Sequence, residues 1–396
     1  MTTQAREGLL NGWDVILVSD CDWAELPSRR QVFARMFAQS GNRVIYVEPM
    51  ESLPLLFESL KSEKVGRFAQ GITQAEHNLW VLSPPPAAPG DAESPLINRM
   101  NNNVLRARIE TEAKSLGFRK PVLILTSPAL HLLAGLLDAA VTVYDCSLQR
   151  AGMLEEMGAW AGGWERDLLA SADLTVTVSS DLMQSKGGLA RASALVPNGC
   201  DTELFGSALN GMETPDPLRE LPRPILGCTG GIHGWMDAGL LAFLASRRPN
   251  WSFVLVGPKG ATADIHTLMS EKNLHLLPRV PQSELPSYLA AFNVALIPYK
   301  AGESPVRPDP VKLYEYLAAG RPVVSTDLPS ARSRQRLIRI AKDRRDMLKQ
   351  CEAAIELDDT PKLRADRAQA ARDFSWQRRF ADLNTALIRV MSTNHK

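Results

Sequence analysis

The segment 309–320 combines the features of a helix start with side chains that can bind a ligand. Asp309 is a residue type that caps helix N-termini, Pro310 suits the first helical position, and Gly320 suits the residue just past a helix end. We therefore expect a short helix from Pro310 to about Ala319. Its N-terminal end offers unpaired amides and the positive end of the helix dipole.

This helix start can bind a phosphorylated nucleotide. The amides of Val311 and Lys312 would face a phosphate, because anions bind at helix N-termini. Glu315 follows one and a half turns later, where its carboxylate can accept two hydrogen bonds from a ribose diol. The alternative is a solvent-exposed Glu315 paired with Lys312 on one helix face.

Short apolar, β-rich runs recur along the chain with helix-length segments between them, which is the pattern of parallel βα units. In the first half the predicted strands are Asp14–Ser19, Arg43–Val47, Leu79–Leu82, Val122–Thr126, Val141–Asp145, Leu174–Val178 and Ala194–Val196. In the second half they are Pro224–Thr229, Ser252–Gly257, Leu274–Leu277, Val294–Pro298 and Pro322–Ser325. The fold class is therefore predicted to be α/β, with two parallel sheets.

Residues 210–223 separate the two halves. Their prolines and Gly211 cannot continue a helix or a central strand, so the stretch is predicted to be a linker. We expect an N-terminal domain at 1–209 and a C-terminal domain at 224–373. The last segment, 374–396, has apolar residues at helical spacing and is expected to pack back on the first domain.

Four segments stand in an order and at a spacing typical of one enzyme family. Segment 309–326 resembles the donor-binding signature of GT-B glycosyltransferases of family 4, as do Val196–Phe205, Trp251–Gly257 and Arg279–Leu289. Several blocks in one order are more specific than a single motif. The resemblance implies two facing Rossmann-like domains, with an acceptor held mainly by the first and a nucleotide-sugar donor of the UDP or GDP type held mainly by the second. It also implies transfer in the cleft between them with retention at the anomeric carbon, and no obligatory metal or other cofactor.

The resemblance also assigns the donor contacts to particular residues. It implies that Glu315 binds the ribose hydroxyls and that the amides of Val311 and Lys312 bind the diphosphate. The base would contact the backbone at Arg279 and Val280.

Gly230 and Gly231 match the family's tight loop beside the diphosphate, where a side chain would hold phosphate and backbone apart. A simple βα turn, the alternative, would need only one of them.

The loop 230–237 contains no Arg or Lys, and Arg307 stands where many family members have a glutamate. We hypothesise that Arg307 supplies the missing cation. Asp309 completes the predicted donor site. The possible substitutes for Arg307 are Lys259, Lys300 and, as a weaker donor, His233.

The first βα loop, with Asp20, Asp22 and Trp23, is expected to line the acceptor site. Arg29 and Arg30 follow at the start of the next helix and can hold an acceptor phosphate or carboxylate, or form a solvated helix turn. Asp20 and Asp22 also match the Asp-x-Asp pattern by which GT-A enzymes bind a metal–nucleotide complex. That alternative conflicts with the GT-B character of the other motifs.

Asp145 ends a predicted strand, and ligands of open α/β sheets gather at the carboxyl ends of strands. It is the predicted catalytic group that orients or deprotonates the acceptor hydroxyl, with Glu165 as a rival. A retaining transfer in which the leaving phosphate takes the acceptor proton needs neither. Asn198, grouped with the acceptor-binding residues, is predicted to form a turn with Gly199 and Asp201 on the cleft side near the crossing between the domains, with at most a positioning role.

Composition narrows the classes of function. Lys+Arg 45 against Asp+Glu 44 leaves a formal net charge of +1, which argues against a nucleic-acid partner. The five cysteines have neither metal-ligand nor disulfide spacing, and no apolar signal-peptide core stands near the N-terminus, so a cytoplasmic location is expected. Basic residues favour either a peripheral contact with the inner membrane face or a solvated helix face. These residues are Lys61, Lys64, Arg67, Arg99, Arg106, Arg108, Lys114, Arg119 and Lys120.

The sequence thus predicts a retaining glycosyltransferase that moves a sugar from a nucleoside diphosphate to an acceptor hydroxyl. The expected role is surface polysaccharide or glycolipid assembly, with a lipid-linked saccharide among the candidate acceptors, and a secondary metabolite is the alternative acceptor. Two other functions stay open. A GT-B-like sugar-nucleotide epimerase would convert the donor without an acceptor, and a catalytically inactive GT-B partner subunit would bind a protein.

Overall fold

The computed structural model describes residues 9–24, 28–51, 71–147, 159–300 and 309–394. Its contacts divide the chain into two compact units. Unit 1 comprises Met1–Pro197 and Arg379–Lys396, and unit 2 comprises Asn198–Arg378.

Unit 1 is built on a sheet of eight described strands. They are β1 (Asp14–Val18), β2 (Arg43–Val47), β3 (Ile72–Glu76), β4 (Leu79–Leu82), β5 (Val122–Leu125), β6 (Val141–Cys146), β7 (Leu174–Thr177) and β8 (Ser193–Leu195). Their order is β3-β4-β2-β1-β5-β6-β7-β8, parallel except for β3. The described helices that accompany them are α1 (Arg29–Gln39), α2 (Pro95–Ser115), α3 (Leu133–Leu136), α4 (Ala161–Ser171) and α5 (Ser180–Lys186).

The antiparallel strand β3 was not predicted. Its side chains from Thr73 to Glu76 are exposed, so it lacks the apolar alternation by which strands are recognised in a sequence. It pairs with β4 through a tight turn in which Asn78 has a φ of 60°. Asparagine tolerates this left-handed conformation better than most residues do. The polar strand therefore closes one edge of the sheet.

Unit 2 is built on a parallel sheet with the strand order β11-β10-β9-β12-β13-β14. The strands are β9 (Ile225–Thr229), β10 (Ser252–Val256), β11 (Leu274–Leu277), β12 (Val294–Ile297), β13 (Val323–Thr326) and β14 (Arg339–Ala341). The helices wholly within this unit are α6 (Thr202–Gly206), α7 (Asp216–Arg219), α8 (Ala238–Arg247), α9 (Ile265–Leu268), α10 (Leu285–Ala291), α11 (Val311–Ala318), α12 (Pro329–Arg332), α13 (Arg344–Leu357) and α14 (Pro361–Ala371). A final helix, α15 (Trp376–Asn394), begins in unit 2 and continues in unit 1.

Both faces of the second sheet are covered. In β10, Val254 and Val256 belong to one buried cluster, whereas Phe253 and Leu255 belong to another. Alternate side chains of a strand point to opposite faces, so the sheet separates two hydrophobic cores. This arrangement accounts for the continuous apolar strands of the sequence and confirms the predicted α/β class.

The boundary between the units differs from the predicted one. Cys200, Phe205 and Ala208, which the sequence analysis placed in the N-terminal domain, are buried in the core of unit 2. The structure therefore assigns the region from Asn198 onward to unit 2. The short strand β14 was also missed, because it has only three residues and begins with Arg339.

The C-terminal part of α15 is integrated into the core of unit 1. The ring of Phe380 is fully buried and lies 4.8 Å from that of Phe37 and 6.1 Å from that of Phe33. The Leu10 amide donates a 2.8 Å hydrogen bond to Oδ1 of buried Asn384. These contacts give the predicted amphipathic pattern of the last helix its structural basis.

All five cysteines are free thiols. Cys146 is buried in unit 1, and Cys200, Cys228 and Cys351 are buried in unit 2. Cys21 is half-buried. Among the described helices, none combines the length and the apolarity that a membrane span requires.

Candidate functional site

The helix predicted from Pro310 to about Ala319 is confirmed as α11, but its capping differs from the prediction. The cap residue is Pro310, and no side chain caps the helix. The Asp309 carboxylate instead accepts hydrogen bonds from the Tyr314 hydroxyl at 2.5 Å and from the Asn198 amide at 3.0 Å. The Asn198 side chain in turn donates to the Asp309 carbonyl at 3.0 Å. Asp309 and Asn198 thus fix the start of the helix inside unit 2. Asn198 is the first residue of that unit, in keeping with the predicted turn near the crossing between the domains, and its positioning role stays a prediction.

The Lys312 side chain is buried beside the predicted glycine loop. Its exposed fraction is 8%, and Nζ lies 3.4 Å from the Cys228 sulfur and 5.3 Å from the centre of the Tyr299 ring. A Cβ placed on Gly230 would lie 3.4 Å from Lys312 Nζ. In the described parts of the chain, no carboxylate forms an ion pair with this ammonium group. A buried charge without a counter-charge is costly, so this arrangement favours an anion.

Glu315 lies one helical turn beyond Lys312 and is half-buried. Burial raises the pKa of its carboxyl group to about 7, although the nearby Lys312 acts in the opposite direction. The ion pair with Lys312 that the sequence allowed is absent, and no described group donates a hydrogen bond to the Glu315 carboxylate. Near neutral pH this carboxyl group can therefore both donate and accept hydrogen bonds.

Glycine is required at the two positions after β9 for different structural reasons. Gly230 has a φ of 95°, which other residues rarely adopt. Gly231 leaves room for the His233 ring, since a Cβ at Gly231 would lie 2.3 Å from His233 Nε2. His233 stacks on Trp235 with ring centres 4.1 Å apart. His233 is therefore held beside the loop, where the sequence analysis placed a weak donor.

The other predicted donor residues lie further out on unit 2. Lys259, Lys300 and Arg279 are exposed, whereas Val280 is half-buried and packs against the core. Arg307, the predicted catalytic cation, lies outside the described residues.

In unit 1, Asp145 and Arg29 form a buried ion pair. Arg29 Nε donates to both Asp145 carboxylate oxygens, at 3.1 and 2.9 Å, and Arg29 Nη1 donates to the carbonyls of Val196 and Pro197 at 2.7 and 3.1 Å. The two side chains are 2% and 8% exposed. This pairing engages the Asp145 carboxylate, whereas Arg29 Nη2 is buried and has no hydrogen-bond partner among the described residues. The catalytic role of Asp145 and the acceptor-binding role of Arg29 stay predictions.

Arg30 and the first βα loop are also tied within unit 1. Arg30 Nη2 donates to Asp20 at 2.9 Å, and the Trp23 amide donates to Glu48 Oε1 at 2.9 Å. The Asp22 carbonyl accepts a 3.0 Å hydrogen bond from the Gln31 side chain. The two arginines expected to hold an acceptor anion therefore both pair with carboxylates of the same unit.

Glu165, the rival of Asp145, belongs to a separate buried cluster. Its Oε1 accepts a 3.0 Å hydrogen bond from the Tyr144 hydroxyl and forms an ion pair with Lys186. Burial is the main cause that raises the pKa of the adjacent Cys146 thiol to about 11. The cluster holds α4 and α5 to the end of β6 and leaves Glu165 engaged.

Membrane contact was predicted from basic residues, some of which lie on α2. On this helix Arg106 pairs with Glu110 and Arg108 with Glu112. These pairs neutralise part of the basic face. Lys61, Lys64 and Arg67 lie outside the described residues.

Sequence reasoning missed two features. For the diphosphate it used only the amide of Lys312, and it did not predict that the Lys312 side chain is buried, because no sequence pattern indicates such burial. It also passed over Asn98, Asn101 and Asn102 on α2, which are buried and line a cavity of unit 1. Three asparagines so close together on one helix are a signal, because asparagine is a poor helix former.

Comparison with known proteins shows the fold and a similarity to glycosyltransferases. Residues 223–356 match the family model of Glycosyl transferases group 1. Over the whole chain, the fold is that of α,α-trehalose 6-phosphate synthase from Burkholderia multivorans, with a TM-score of 0.69 at 11% identity, covering 98% of this chain and 99% of that one. Anabaena Alr3699/HepE in complex with UDP-glucose gives a TM-score of 0.64 at 13% identity, covering 97% and 99%. The chain therefore has the GT-B fold, and residues 223–356 are similar to glycosyl transferases group 1.

A curated relative is more similar in sequence. It is described as "Putative teichuronic acid biosynthesis glycosyltransferase TuaH" from Bacillus subtilis (strain 168) and is 30% identical over 232 residues. The alignment spans 53% of this chain and 56% of that protein.

Proposed function

We propose that the protein is a retaining glycosyltransferase that moves a sugar from a UDP or GDP sugar to an acceptor hydroxyl. The observation that carries the proposal is the buried Lys312 ammonium group, which lies against Gly230 and lacks a described carboxylate partner. The similarity to glycosyl transferases group 1 and the UDP-glucose bound to Anabaena Alr3699/HepE support this class of donor.

Lys312 would supply the cation that the glycine loop lacks. As the sugar leaves, negative charge grows on the diphosphate, and a cation already fixed in a site of low polarity stabilises that charge strongly. Lys259 and Lys300 are exposed, so solvent weakens any contribution from them. The role first given to Arg307 is therefore proposed for Lys312.

Glu315 would bind the ribose, as the resemblance implies. A carboxyl group with a pKa of about 7 can accept a hydrogen bond from one ribose hydroxyl and, when protonated, donate to the other. The amides of Val311 and Lys312 have no acceptor among the described residues, which leaves them to the diphosphate.

The proton of the acceptor hydroxyl would pass to the leaving phosphate. The bond between the anomeric carbon and the phosphate oxygen breaks, and the bond to the acceptor oxygen forms on the same face of the sugar. The acceptor proton ends on the departing phosphate oxygen. This route fits the engagement of Asp145 with Arg29 and of Glu165 with Lys186, because it needs no protein base.

The role in a surface polysaccharide or glycolipid is supported by the teichuronic acid relative. A lipid-linked acceptor, a peripheral membrane contact and a location at the inner membrane face stay predictions.

A thermal-shift panel of UDP, GDP, ADP, TDP and CMP with their sugar conjugates tests the proposal. A ligand at 100 times its Kd adds about 2.7 kcal/mol, which raises the Tm by about 5–10 °C for a unit of this size. We expect one nucleotide family to stabilise the wild type. Lys312→Met, which keeps the length of the side chain but not its charge, should abolish that shift.

Lys272→Met is the matched control, because it removes an exposed lysine of the same unit that no prediction places in the donor site. It should keep the nucleotide shift. Without ligand, Lys312→Met should unfold at the same temperature as the wild type or higher, since a buried unpaired charge is removed. No shift with any nucleotide, or an unchanged shift in Lys312→Met, would overturn the proposal. Conversion of the donor without an acceptor would instead indicate the epimerase.

A further inference from the structure

Unit 1 contains a cavity of about 200 Å³ at the carboxyl edge of its sheet. Ser19, Glu48 and Ser127 line it from segments that follow β1, β2 and β5. On the other side it is closed by α2, with Asn98 and Asn102. Ligands of open parallel sheets bind at this edge.

The asparagines of α2 are held rigidly. Both the amide and the carbonyl of the Asn101 side chain bond to the backbone of Ala88, at 3.0 and 2.9 Å. Asn98 and Asn102 both donate to the Ala129 carbonyl, at 3.1 and 2.9 Å. The side-chain amide groups of these asparagines therefore donate to protein carbonyls. The groups that remain available to a ligand are mainly oxygen atoms, which accept hydrogen bonds.

The oxygen atoms of the cavity favour hydrogen-bond donors. Asn102 Oδ1 is buried and has no hydrogen-bond partner in the described part of the chain, which is unusual for a native protein. Asp20, Glu48 and Asp91 add carboxylates to the lining, and Asp91 makes no hydrogen bond to a described residue. Carboxylates and amide oxygens accept hydrogen bonds from hydroxyl groups.

The charge of the lining disfavours an anion. Among the described residues that line the cavity there is no lysine or arginine, and the nearby Arg30 is paired with Asp20. Leu105, Leu130 and Met50 give the cavity an apolar side. Ligand pockets for drug-sized molecules measure about 300–1,000 Å³, so a cavity of about 200 Å³ holds about one ring.

We infer that this cavity binds the acceptor through one uncharged sugar ring, with hydroxyl groups on the carboxylate and amide oxygens and C–H groups on the apolar side. The assignment of this ring as acceptor rests on the proposed function, whereas the binding of a neutral sugar does not. A phosphorylated or carboxylated ring would be excluded by the negative lining.

Saturation-transfer difference NMR without nucleotide tests the inference. The probes are the methyl glycosides of glucose, galactose, mannose and N-acetylglucosamine, with glucose 6-phosphate and glucuronate as anionic counterparts. We expect at least one neutral glycoside to bind and the anionic probes to bind at least tenfold more weakly. Binding of glucose 6-phosphate in preference to every neutral glycoside would overturn the inference.

Asp91→Leu removes an acceptor and fills space, and it should weaken glycoside binding at least tenfold. Glu93→Leu is the matched control, because Glu93 is exposed and does not line the cavity. Both variants should keep the nucleotide-induced thermal shift, and Lys312→Met should keep glycoside binding. If a nucleotide binds but no glycoside does, the inferred sugar site is wrong and the proposed function is unaffected. If a glycoside binds but no nucleotide does, the proposed function is wrong and the inferred sugar site is supported.

Discussion

Substitution of Asp145 tests whether this residue stabilises the fold by pairing with Arg29 or acts in catalysis as the sequence predicts. Asp145→Ala would leave the Arg29 guanidinium group, 2% exposed, without its carboxylate. Removing one partner of a buried ion pair costs about 3–5 kcal/mol. Arg29 Nη1 would keep its hydrogen bonds to Val196 and Pro197, so we expect the lower end, about 3 kcal/mol. Asp145→Asn keeps an oxygen for Arg29 Nε and should cost about half as much.

The assay is urea unfolding followed by circular dichroism, with the free energy of unfolding extrapolated to water. Asp167→Ala, which removes an exposed carboxylate from α4, is the control and should stay within about 0.5 kcal/mol of the wild type. The double variant Arg29→Met/Asp145→Val removes both charges and should recover part of the loss, because it also takes the Arg29 donor from the carbonyls of Val196 and Pro197. If Asp145→Ala left the stability within about 1 kcal/mol of the wild type but abolished turnover, Asp145 would be catalytic and the argument from burial would be wrong.

Three further predictions concern single sites. The pKa of Glu315 is raised from 4.5 to about 7 in the folded protein, so the folded state binds a proton more tightly than the unfolded one. The free energy of unfolding should therefore fall by up to about 3 kcal/mol between these pH values in the wild type but not in Glu315→Gln, as urea titrations at several pH values would reveal. Gly230→Ala forces a side chain into a φ of 95° beside Lys312. It should abolish the nucleotide-induced thermal shift. If the shift were retained, the proposed binding of the diphosphate beside Gly230 would be wrong. Phe380→Ala should cost about 3–5 kcal/mol in urea unfolding, since it empties a buried site of unit 1; a loss below about 1 kcal/mol would contradict the packing described for α15.

The fold could be predicted from the sequence because most of its strands are apolar on both faces. Runs such as Val122–Leu125 and Ser252–Val256 are buried along their whole length, and βα alternation follows from their spacing. The exposed residues of β3 carry no such signal. The start of α11 was also correctly placed, although the expected cap by Asp309 was wrong because Tyr314 and Asn198 bind its carboxylate instead.

The candidate site was less predictable, because side-chain pairing joins distant parts of the chain. Arg29 and Asp145 are 116 positions apart, and a single sequence cannot show that they meet. Lys312 stands on a helix surface in the sequence pattern but is buried against Cys228 from β9. Burial of one polar side chain depends on tertiary packing, and hydrophobic periodicity describes only the apolar ones.

Because each unit contains buried free thiols, the reactivity of those thiols can report on the unfolding of that unit. Burial raises the pKa of the Cys351 thiol, and that of Cys146 is about 11, so neither forms a reactive thiolate in the folded protein. A brief pulse of alkylating reagent would mark Cys146 when unit 1 opens, and Cys200, Cys228 or Cys351 when unit 2 opens. Peptide mass spectrometry would then measure how fast each unit opens, for both units in one sample, without any engineered label.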